Sequence, residues 1–163
     1  MQYTIRRGLP EEAEEIRAAH RQSILDLAAK DYPAEVVAEW GANRAPEAAQ
    51  KHKAAIASGE ELVWVAMIDG KIEGFSTLVP ASEELRAVYV TGKAAGRGIG
   101  AALLQALEEK ARELRLKKLS LHSSLTAKNF YEKNGYLNCG KGFHIMRSGR
   151  KMECYFMEKS LQK

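Results

Sequence analysis

The stretch Glu84-Leu-Arg-Ala-Val-Tyr-Val90 leads through Gly96-Arg-Gly-Ile-Gly100 into a segment in which apolar residues recur at helical spacing. In the first part, Leu85, Ala87 and Tyr89 alternate with the other residues, and this period of two predicts a strand. From Ile99 onward the spacing becomes three to four, which predicts a helix. Glycines 92, 96, 98 and 100 form the loop between them. A glycine-rich loop at the positive end of a helix offers free backbone N–H groups to a phosphate, so this unit predicts an anion site.

Two common phosphate-binding motifs are excluded by their context. Gly96-x-Gly98-x-x-Ala101 fits a relaxed dinucleotide fingerprint, but that fold needs an acidic residue at the end of the next strand. The next predicted strand, Lys118–His122, ends in histidine and serine. The segment Gly135–Lys141 imitates a P-loop, yet Gly142 stands where Ser or Thr is required and a strand pattern follows instead of a helix.

The third interpretation of the glycine loop is a resemblance to a known protein family. Arg97-Gly98-Ile99-Gly100-Ala101 is similar to the acyl-CoA pyrophosphate loop of the GNAT superfamily of N-acyltransferases, whose signature is [Q/R]-x-x-G-x-[G/A]. This chain has Ala95 at the first position. The segment Leu125–Tyr136 resembles the family's later motif, N-x-x-A-x-x-F-Y-E-K-x-G-[F/Y], with Thr126 in place of the usual Asn. The two motifs occur in the family's order, and the resemblance covers residues 62 to 138 well.

The resemblance implies a single α/β domain over residues 1–163, with a mixed, mostly antiparallel sheet, helices on both faces and the order β-α-α-β-β-β-α-β-α-β-β. The sequence allows one extra N-terminal helix. Asp69-Gly70 between two apolar runs predicts a tight type I′ hairpin turn. The other predicted elements are strands 3–7, 62–68, 72–79, 85–91, 118–122, 143–147 and 152–158, and helices from Pro10, over 33–40, over 46–57, from Ile99 and over 125–134.

The implied activity is transfer of an acetyl group from acetyl-CoA to a primary amine of a small molecule or peptide, without a metal. A non-catalytic acyl-CoA-binding module of the same fold is the alternative. Tyr131 matches the family's general acid, and a tyrosine hydroxyl stays protonated at neutral pH. The residues implied to hold the coenzyme are Val88, Tyr89, Val90, Arg97, Gly98, Ile99, Gly100, Ala101, Thr126 and Asn129.

The general base has several candidates. Glu84 begins the central strand, where some members of the family carry a catalytic Glu, and Glu83 beside it is a rival. His122, at the end of the neighbouring predicted strand, is a further candidate because imidazole titrates near neutrality. The resemblance places one wall of the acceptor cleft on the first helices, at His20, Ser23, Tyr32 and Trp40.

The composition of the chain limits the classes of protein to which it can belong. The chain has 163 residues, 45% hydrophobic and 28% charged residues and a net charge of +4, which are ordinary values for one globular domain. No apolar run approaches the length of a membrane span, and no signal-peptide pattern appears, so we expect a cytoplasmic protein without a membrane partner. Cys139 and Cys154 lack metal or redox spacing, and we expect free, buried thiols. The basic residues around Lys141–Lys151 match no nucleic-acid motif, and the remaining candidate partner is a second copy in a homodimer.

Overall fold

The structure is a computed structural model that describes residues 2–42 and 46–162. A seven-stranded sheet runs through the molecule in the order β1-β2-β3-β4-β5-β7-β6. All neighbouring strands are antiparallel except the pair β4 and β5. The strands are β1 Thr4–Arg7, β2 Leu62–Ile68, β3 Lys71–Val79, β4 Glu84–Val90, β5 Lys118–Ser124, β6 Leu137–Ile145 and β7 Lys151–Ser160.

Helices cover both faces of this sheet. The helices are α1 Ala13–Ser23, α2 Ala34–Trp40, α3 Pro46–Ser58, α4 Ile99–Glu113 and α5 Lys128–Lys133. After α1 the chain continues through a π-helical turn over Ile24–Ala28. The predicted mixed α/β fold and its element order, including the extra N-terminal helix, are confirmed.

Two apolar layers pack against the sheet. On one face α4 buries Leu103 and Leu107 against the strands, and both side chains are fully buried. On the other face Ile16 of α1 and Ile56 of α3 pack on Val63, Val65 and their neighbours. These are the apolar stripes that the helical spacing predicts, so burial of amphipathic faces holds the layers together.

The last two strands differ from their predicted bounds. We expected a strand only over 143–147, but β6 begins at Leu137, and α5 is shorter than the predicted helix over 125–134. Gly140 and Gly142 lower the strand signal, because glycine has no side chain to pack on a pleated surface. Gly142 is needed here, since the ring of Phe156 on β7 occupies the space of a Cβ atom. Both cysteines are free, and Cys139 is exposed rather than buried.

β4 has two irregularities, a β-bulge on the side of β3 and a loss of pairing on the side of β5. Leu78 pairs with Leu85 and Thr77 with Ala87, so Arg86 is the extra residue of a β-bulge. On its other side β4 pairs with β5 at Glu84 only, opposite Ser120, and beyond that point the described strands pair no further. The two parallel strands therefore open into a cleft along the second half of β4.

Candidate active site

The cleft between β4 and β5 contains a cavity of about 530 Å³, which we call the splay cavity. Its walls include the predicted coenzyme-binding residues Val88, Tyr89, Val90, Gly98, Gly100 and Ala101. The backbone of residues 88–90 pairs with β3 on one side only. Its groups on the open side are therefore available to a ligand that enters the cleft.

The glycine loop closes one end of the splay cavity. Gly98 precedes α4 with φ +78°, a left-handed conformation that glycine adopts without strain. The first intrahelical hydrogen bond is donated by the Ala102 amide to the Gly98 carbonyl, 3.1 Å away. The amides of residues 99–101 thus have no partner inside the helix. A Cβ atom at Gly98 would meet nothing within 4 Å, so the space before these amides is open to a phosphate.

Two predicted contacts of the loop are backbone contacts at most. The Nε atom of Arg97 donates to the Lys93 carbonyl at 2.9 Å, and its side chain does not line the splay cavity. Ile99 is fully buried in the layer under α4, which leaves only its amide for a ligand. The loop therefore offers backbone groups rather than side-chain charge.

In the second motif, one of the two predicted coenzyme-binding residues lines the splay cavity and the other does not. Thr126 lines the splay cavity, but its hydroxyl already donates to Asp31 at 2.7 Å. Asn129 is exposed on α5 and lies outside the cavity wall. Its predicted coenzyme contact stays a prediction without a supporting position.

The structure adds lining residues that the sequence reasoning missed. Lys133 and Asn134, at the end of α5, line the splay cavity, and so does Phe130. Lys133 is exposed and has no ion pair or hydrogen bond within the described ranges 2–42 and 46–162. Lys133 belongs to the segment Leu125–Tyr136 quoted above. Its spacing from Phe130, which puts both residues on one face of a helix, was the signal in the sequence that could have identified it. It can supply a positive charge to an anionic ligand.

Tyr131 contacts β4 through a hydrogen bond with the Val88 backbone, but it does not line the splay cavity. It is buried, with its ring 5.2 Å from that of Phe130 and 5.6 Å from that of Tyr136, centroid to centroid. Burial raises the pKa of its hydroxyl, Tyr89 raises it further, and a hydrogen bond from the Val88 backbone acts in the opposite direction. The hydroxyl is therefore protonated at neutral pH and lies at the backbone of β4, and its role as a proton donor stays a prediction.

A second cavity lies on the opposite face of β4, under α1 and α3. It measures about 760 Å³, its floor includes Phe75 and Ala87, and we call it the helix-face cavity. Tyr89 lines both this cavity and the splay cavity. The ring of His20 lies against Tyr89, with 4.3 Å between centroids. Tyr89 is therefore part of both cavity walls.

Charged groups are buried at the far end of the helix-face cavity. Glu61 is 8% exposed and accepts a hydrogen bond of 2.7 Å from Arg86, with His52 Nε2 3.4 Å from its other oxygen. Burial lowers the pKa of His52, Glu61 raises it, and Arg17 and Arg86 lower it again. His52 is therefore neutral at neutral pH. None of these side chains was predicted as a site residue.

Glu84, the first candidate for the general base, lies outside the walls of the two cavities. Its carboxylate accepts a 3.0 Å hydrogen bond from Arg86 and is 37% exposed. Glu84 lines neither cavity, whereas Arg86 lines the helix-face cavity. The bulge places the two side chains side by side, and the role of Glu84 stays a prediction.

The other two candidates face elsewhere. One carboxylate oxygen of Glu83 accepts from the backbone amides of Lys117 and Lys118, at 2.6 and 3.2 Å, and these bonds lower the pKa of Glu83. Glu83 thus fixes the start of β5. His122 is exposed and contacts the ring of Phe156 edge to face, 4.8 Å between centroids. Neither residue lines the splay cavity or the helix-face cavity.

The four residues predicted to form one wall of the acceptor cleft do not all line the same cavity. His20 lines the helix-face cavity, while Ser23 and Trp40 line the splay cavity. The hydroxyl of Tyr32 donates to the Glu153 carbonyl at 2.7 Å and accepts from the Leu125 amide at 2.8 Å. Burial raises the pKa of Tyr32 to about 12. Tyr32 therefore holds the N-terminal segment against the sheet.

In the described part of the chain no helix combines the length and the apolar character that crossing a bilayer requires. The same residues contain no cluster of three or more His, Cys, Asp or Glu side chains arranged to hold a metal ion.

The site and the fold have counterparts in known proteins. A GCN5-related N-acetyltransferase from Rhodopseudomonas palustris is 29% identical, with a TM-score of 0.83 over 98% of this chain and 96% of that one. The PaiA N-acetyltransferase of Thermoplasma acidophilum, solved with coenzyme A, is 21% identical, with a TM-score of 0.77 over 98% and 99%. YncA of Salmonella typhimurium, solved with acetyl-CoA, is 18% identical, with a TM-score of 0.74 over 100% and 96%, and at these lower identities the likeness concerns the fold.

A search of curated protein sequences finds no match to the chain. The family model of the acetyltransferase (GNAT) domain matches residues 28–149. This match includes the glycine loop, the opened strand pair and Tyr131. By this match the chain belongs to the GNAT acetyltransferase family.

Proposed function

We propose that the protein transfers an acetyl group from acetyl-CoA to a primary amine of a small molecule or peptide, as one domain over residues 1–163. The observation that carries this proposal is the opening between β4 and β5, which connects the free amides of the glycine loop to Tyr89. Tyr89 also lines the helix-face cavity, which we assign to the acceptor. The likeness to structures solved with coenzyme A or acetyl-CoA supports the same choice of donor.

The fit of the coenzyme rests on two groups of atoms. The amides of residues 99–101 and the open space before Gly98 suit the pyrophosphate, and Lys133 adds a positive charge beside them. Along the cleft, the unpaired backbone of residues 88–90 suits the pantetheine arm and the thioester carbonyl. The apolar side chains of Leu27 and Phe130 line the same cavity.

In the reaction we propose, the unprotonated amine attacks the thioester carbonyl carbon from the helix-face cavity. The C–N bond forms, the C–S bond breaks, Tyr131 gives its proton to the departing sulfur, and the proton that the nitrogen loses as it becomes an amide restores the Tyr131 hydroxyl. Before the attack, Glu84 takes the proton of the incoming ammonium group through water, since its carboxylate is bound to Arg86 and lines neither cavity. Backbone amides of β4 polarise the carbonyl.

The direct test is thermal denaturation with and without acetyl-CoA. Coenzyme at 100 times its Kd adds about 2.7 kcal/mol to the free energy of unfolding, so the midpoint rises. An acceptor panel followed by release of free thiol then distinguishes an enzyme from a binding module. No midpoint shift at millimolar coenzyme overturns the whole proposal. A shift without thiol release from any amine favours the non-catalytic acyl-CoA-binding module.

A further inference from the structure

The splay cavity has walls on both faces of the sheet. Val88 and Val90 pack in the apolar layer under α4, whereas Tyr89 between them packs in the layer under α1 and α3. On the α4 face the cavity wall contains the glycine loop and Phe130. On the α1 face it contains Tyr89, the end of α1 and, from α2, Trp40. The cavity therefore passes through the sheet where β4 and β5 separate.

The indole ring of Trp40 is held in place by other aromatic rings. Its centroid lies 5.6 Å from that of Tyr32 and 6.3 Å from that of Tyr89, both edge to face. The hydroxyl of Tyr32 is hydrogen-bonded on both its donor and its acceptor side, and Tyr89 stacks on Phe75 with 5.6 Å between centroids. Aromatic pairs prefer such defined geometries. Trp40 is half-buried, so it forms a supported wall with ring surface left for a ligand.

Trp40 also lines a smaller cavity of about 260 Å³, whose walls include His20 of α1 and Gly41. We call it the side cavity. Among the described residues, 2–42 and 46–162, Trp40 is the one that belongs to the walls of both the splay cavity and the side cavity. A shorter side chain at position 40 would therefore add room to both spaces.

The proposed route of the acceptor places the acyl group on the α1 face. The helix-face cavity lies on that face and has Tyr89 in common with the splay cavity. An amine that attacks from the helix-face cavity must reach the thioester carbonyl beside Tyr89, since the reacting atoms have to approach to about 3–3.5 Å. Phosphates at the glycine loop and an acyl group beside Tyr89 then lie on opposite faces of the sheet.

We propose that Trp40 limits the length of the acyl chain, because its indole ring bounds the acyl end of the splay cavity. This inference rests on the proposed acetyltransferase function and adds the residue that selects the donor. A supported aromatic wall yields little, because protein interiors are close-packed. A longer chain must therefore displace the ring or move the carbonyl away from the attacking amine. In an apolar pocket one methylene typically changes kcat/KM by about 10- to 200-fold.

The experiment compares acetyl-, propionyl- and butyryl-CoA, which differ only in the methylenes of the acyl chain. Thiol release gives kcat/KM for each thioester with an amine that the acceptor panel identifies. Calorimetry gives the Kd of each thioester without any acceptor, so the comparison does not depend on finding one. We expect the parent to prefer acetyl-CoA to butyryl-CoA by at least about tenfold.

The matched variants are Trp40→Leu and Phe130→Leu. Both replace an aromatic ring in the wall of the splay cavity by a smaller apolar side chain. Phe130, however, lies at the glycine loop, where a Cβ atom at Gly100 would be 3.2 Å from its ring. Trp40→Leu should bring the acetyl-to-butyryl ratio close to one. Phe130→Leu should weaken all three thioesters alike and keep the parent ratio.

A third variant, Trp40→Phe, keeps an aromatic ring beside Tyr32 and Tyr89 and should give an intermediate ratio. It tests the inference even where Trp40→Leu lowers the thermal midpoint. A merely structural Trp40 would change the midpoint, or the affinity for all three thioesters together, without moving the ratio between them.

Several results overturn the inference and leave the proposed function standing. One is equal use of the three thioesters by the parent, and another is the parent ratio in both Trp40 variants. A ratio that Phe130→Leu changes as much as Trp40→Leu also overturns it. A rise in the acceptor's KM with an unchanged ratio would assign Trp40 to the acceptor instead. Failure of CoA itself to bind overturns the proposed function.

Discussion

The two cavities that share Tyr89 are built from different kinds of residues. The splay cavity is lined by the second half of β4 and the glycine loop and, across from them, by small and apolar residues from the end of α1, the π-helical turn and α5. The helix-face cavity is shaped by charged and aromatic side chains from α1, α3, β3 and β4. Added atoms should therefore disturb the splay cavity more than the removal of one charge from its wall. The substitutions below test this difference, in order of decreasing effect.

Tyr131→Phe should have the largest effect, because we propose Tyr131 as the group that protonates the departing sulfur. Positioned proton transfer typically contributes about 10²- to 10⁴-fold, and we expect a fall in kcat near the lower end, since a thiolate leaves tolerably without a proton. Thiol release under saturating acetyl-CoA measures it. Tyr155→Phe on β7, which removes a hydroxyl away from both cavities, is the control. Full kcat in Tyr131→Phe would make this residue structural.

Gly98→Val should prevent the coenzyme from approaching the backbone. We expect the Kd for CoA to rise by at least about tenfold, which corresponds to about 1.4 kcal/mol. Gly70→Val is a close control, because Gly70 also has φ +78° and open space around its Cβ position but lies in the β2–β3 hairpin turn. Both variants carry the same backbone strain. Equal CoA affinity in the two variants would show that the anion binds elsewhere.

Lys133→Gln should have a moderate effect on the same ligand. An exposed ion pair contributes up to ~1 kcal/mol, so the Kd for CoA should rise by about two- to fivefold. The difference should shrink as salt is added, because exposed charges are screened. Lys71→Gln, at the exposed start of β3, removes an equal charge outside the splay cavity. A loss of affinity that does not depend on salt would contradict the electrostatic role.

Glu84→Gln should have the smallest effect. If Glu84 accepts the amine's proton through water, kcat/KM falls by about tenfold or less at low pH and is unchanged where the amine arrives unprotonated. The free energy of unfolding should change by no more than ~1 kcal/mol, since the pair with Arg86 is well exposed. A pH–rate profile identical to the parent's would remove Glu84 from the reaction.

The same contrast explains what could be predicted from the sequence. The glycine loop and Tyr131 belong to short, contiguous motifs whose residue types are dictated by local backbone and chemistry. The structure places the glycine loop in the wall of the splay cavity and the Tyr131 hydroxyl at the Val88 backbone. Lys51 and His52 on α3 are far from Arg86 of β4 in the sequence, and only the packing of α3 on the sheet brings them together.

Arg86 shows most clearly what the alternation of residues in the sequence does not reveal. In the alternating pattern of β4 it appears as an ordinary solvent-facing residue. The bulge, which changes the register between Thr77 and Leu78, is what aims Arg86 at Glu61 and Glu84. A shift of one residue in register depends on the neighbouring strand and leaves no trace in the period of the sequence.

The position of β7 between β5 and β6 determines how the sheet can be completed during synthesis. β6 precedes β7 in the chain, yet among the described residues its one neighbour in the sheet is β7. While the ribosome is still adding β7, β6 therefore has no strand to join. It enters the sheet either in a hairpin that docks through β7 onto β5 or by pairing with a β7 that is already docked. Until then the edge of β5 that β7 covers is unpaired, and such an edge can pair with another chain.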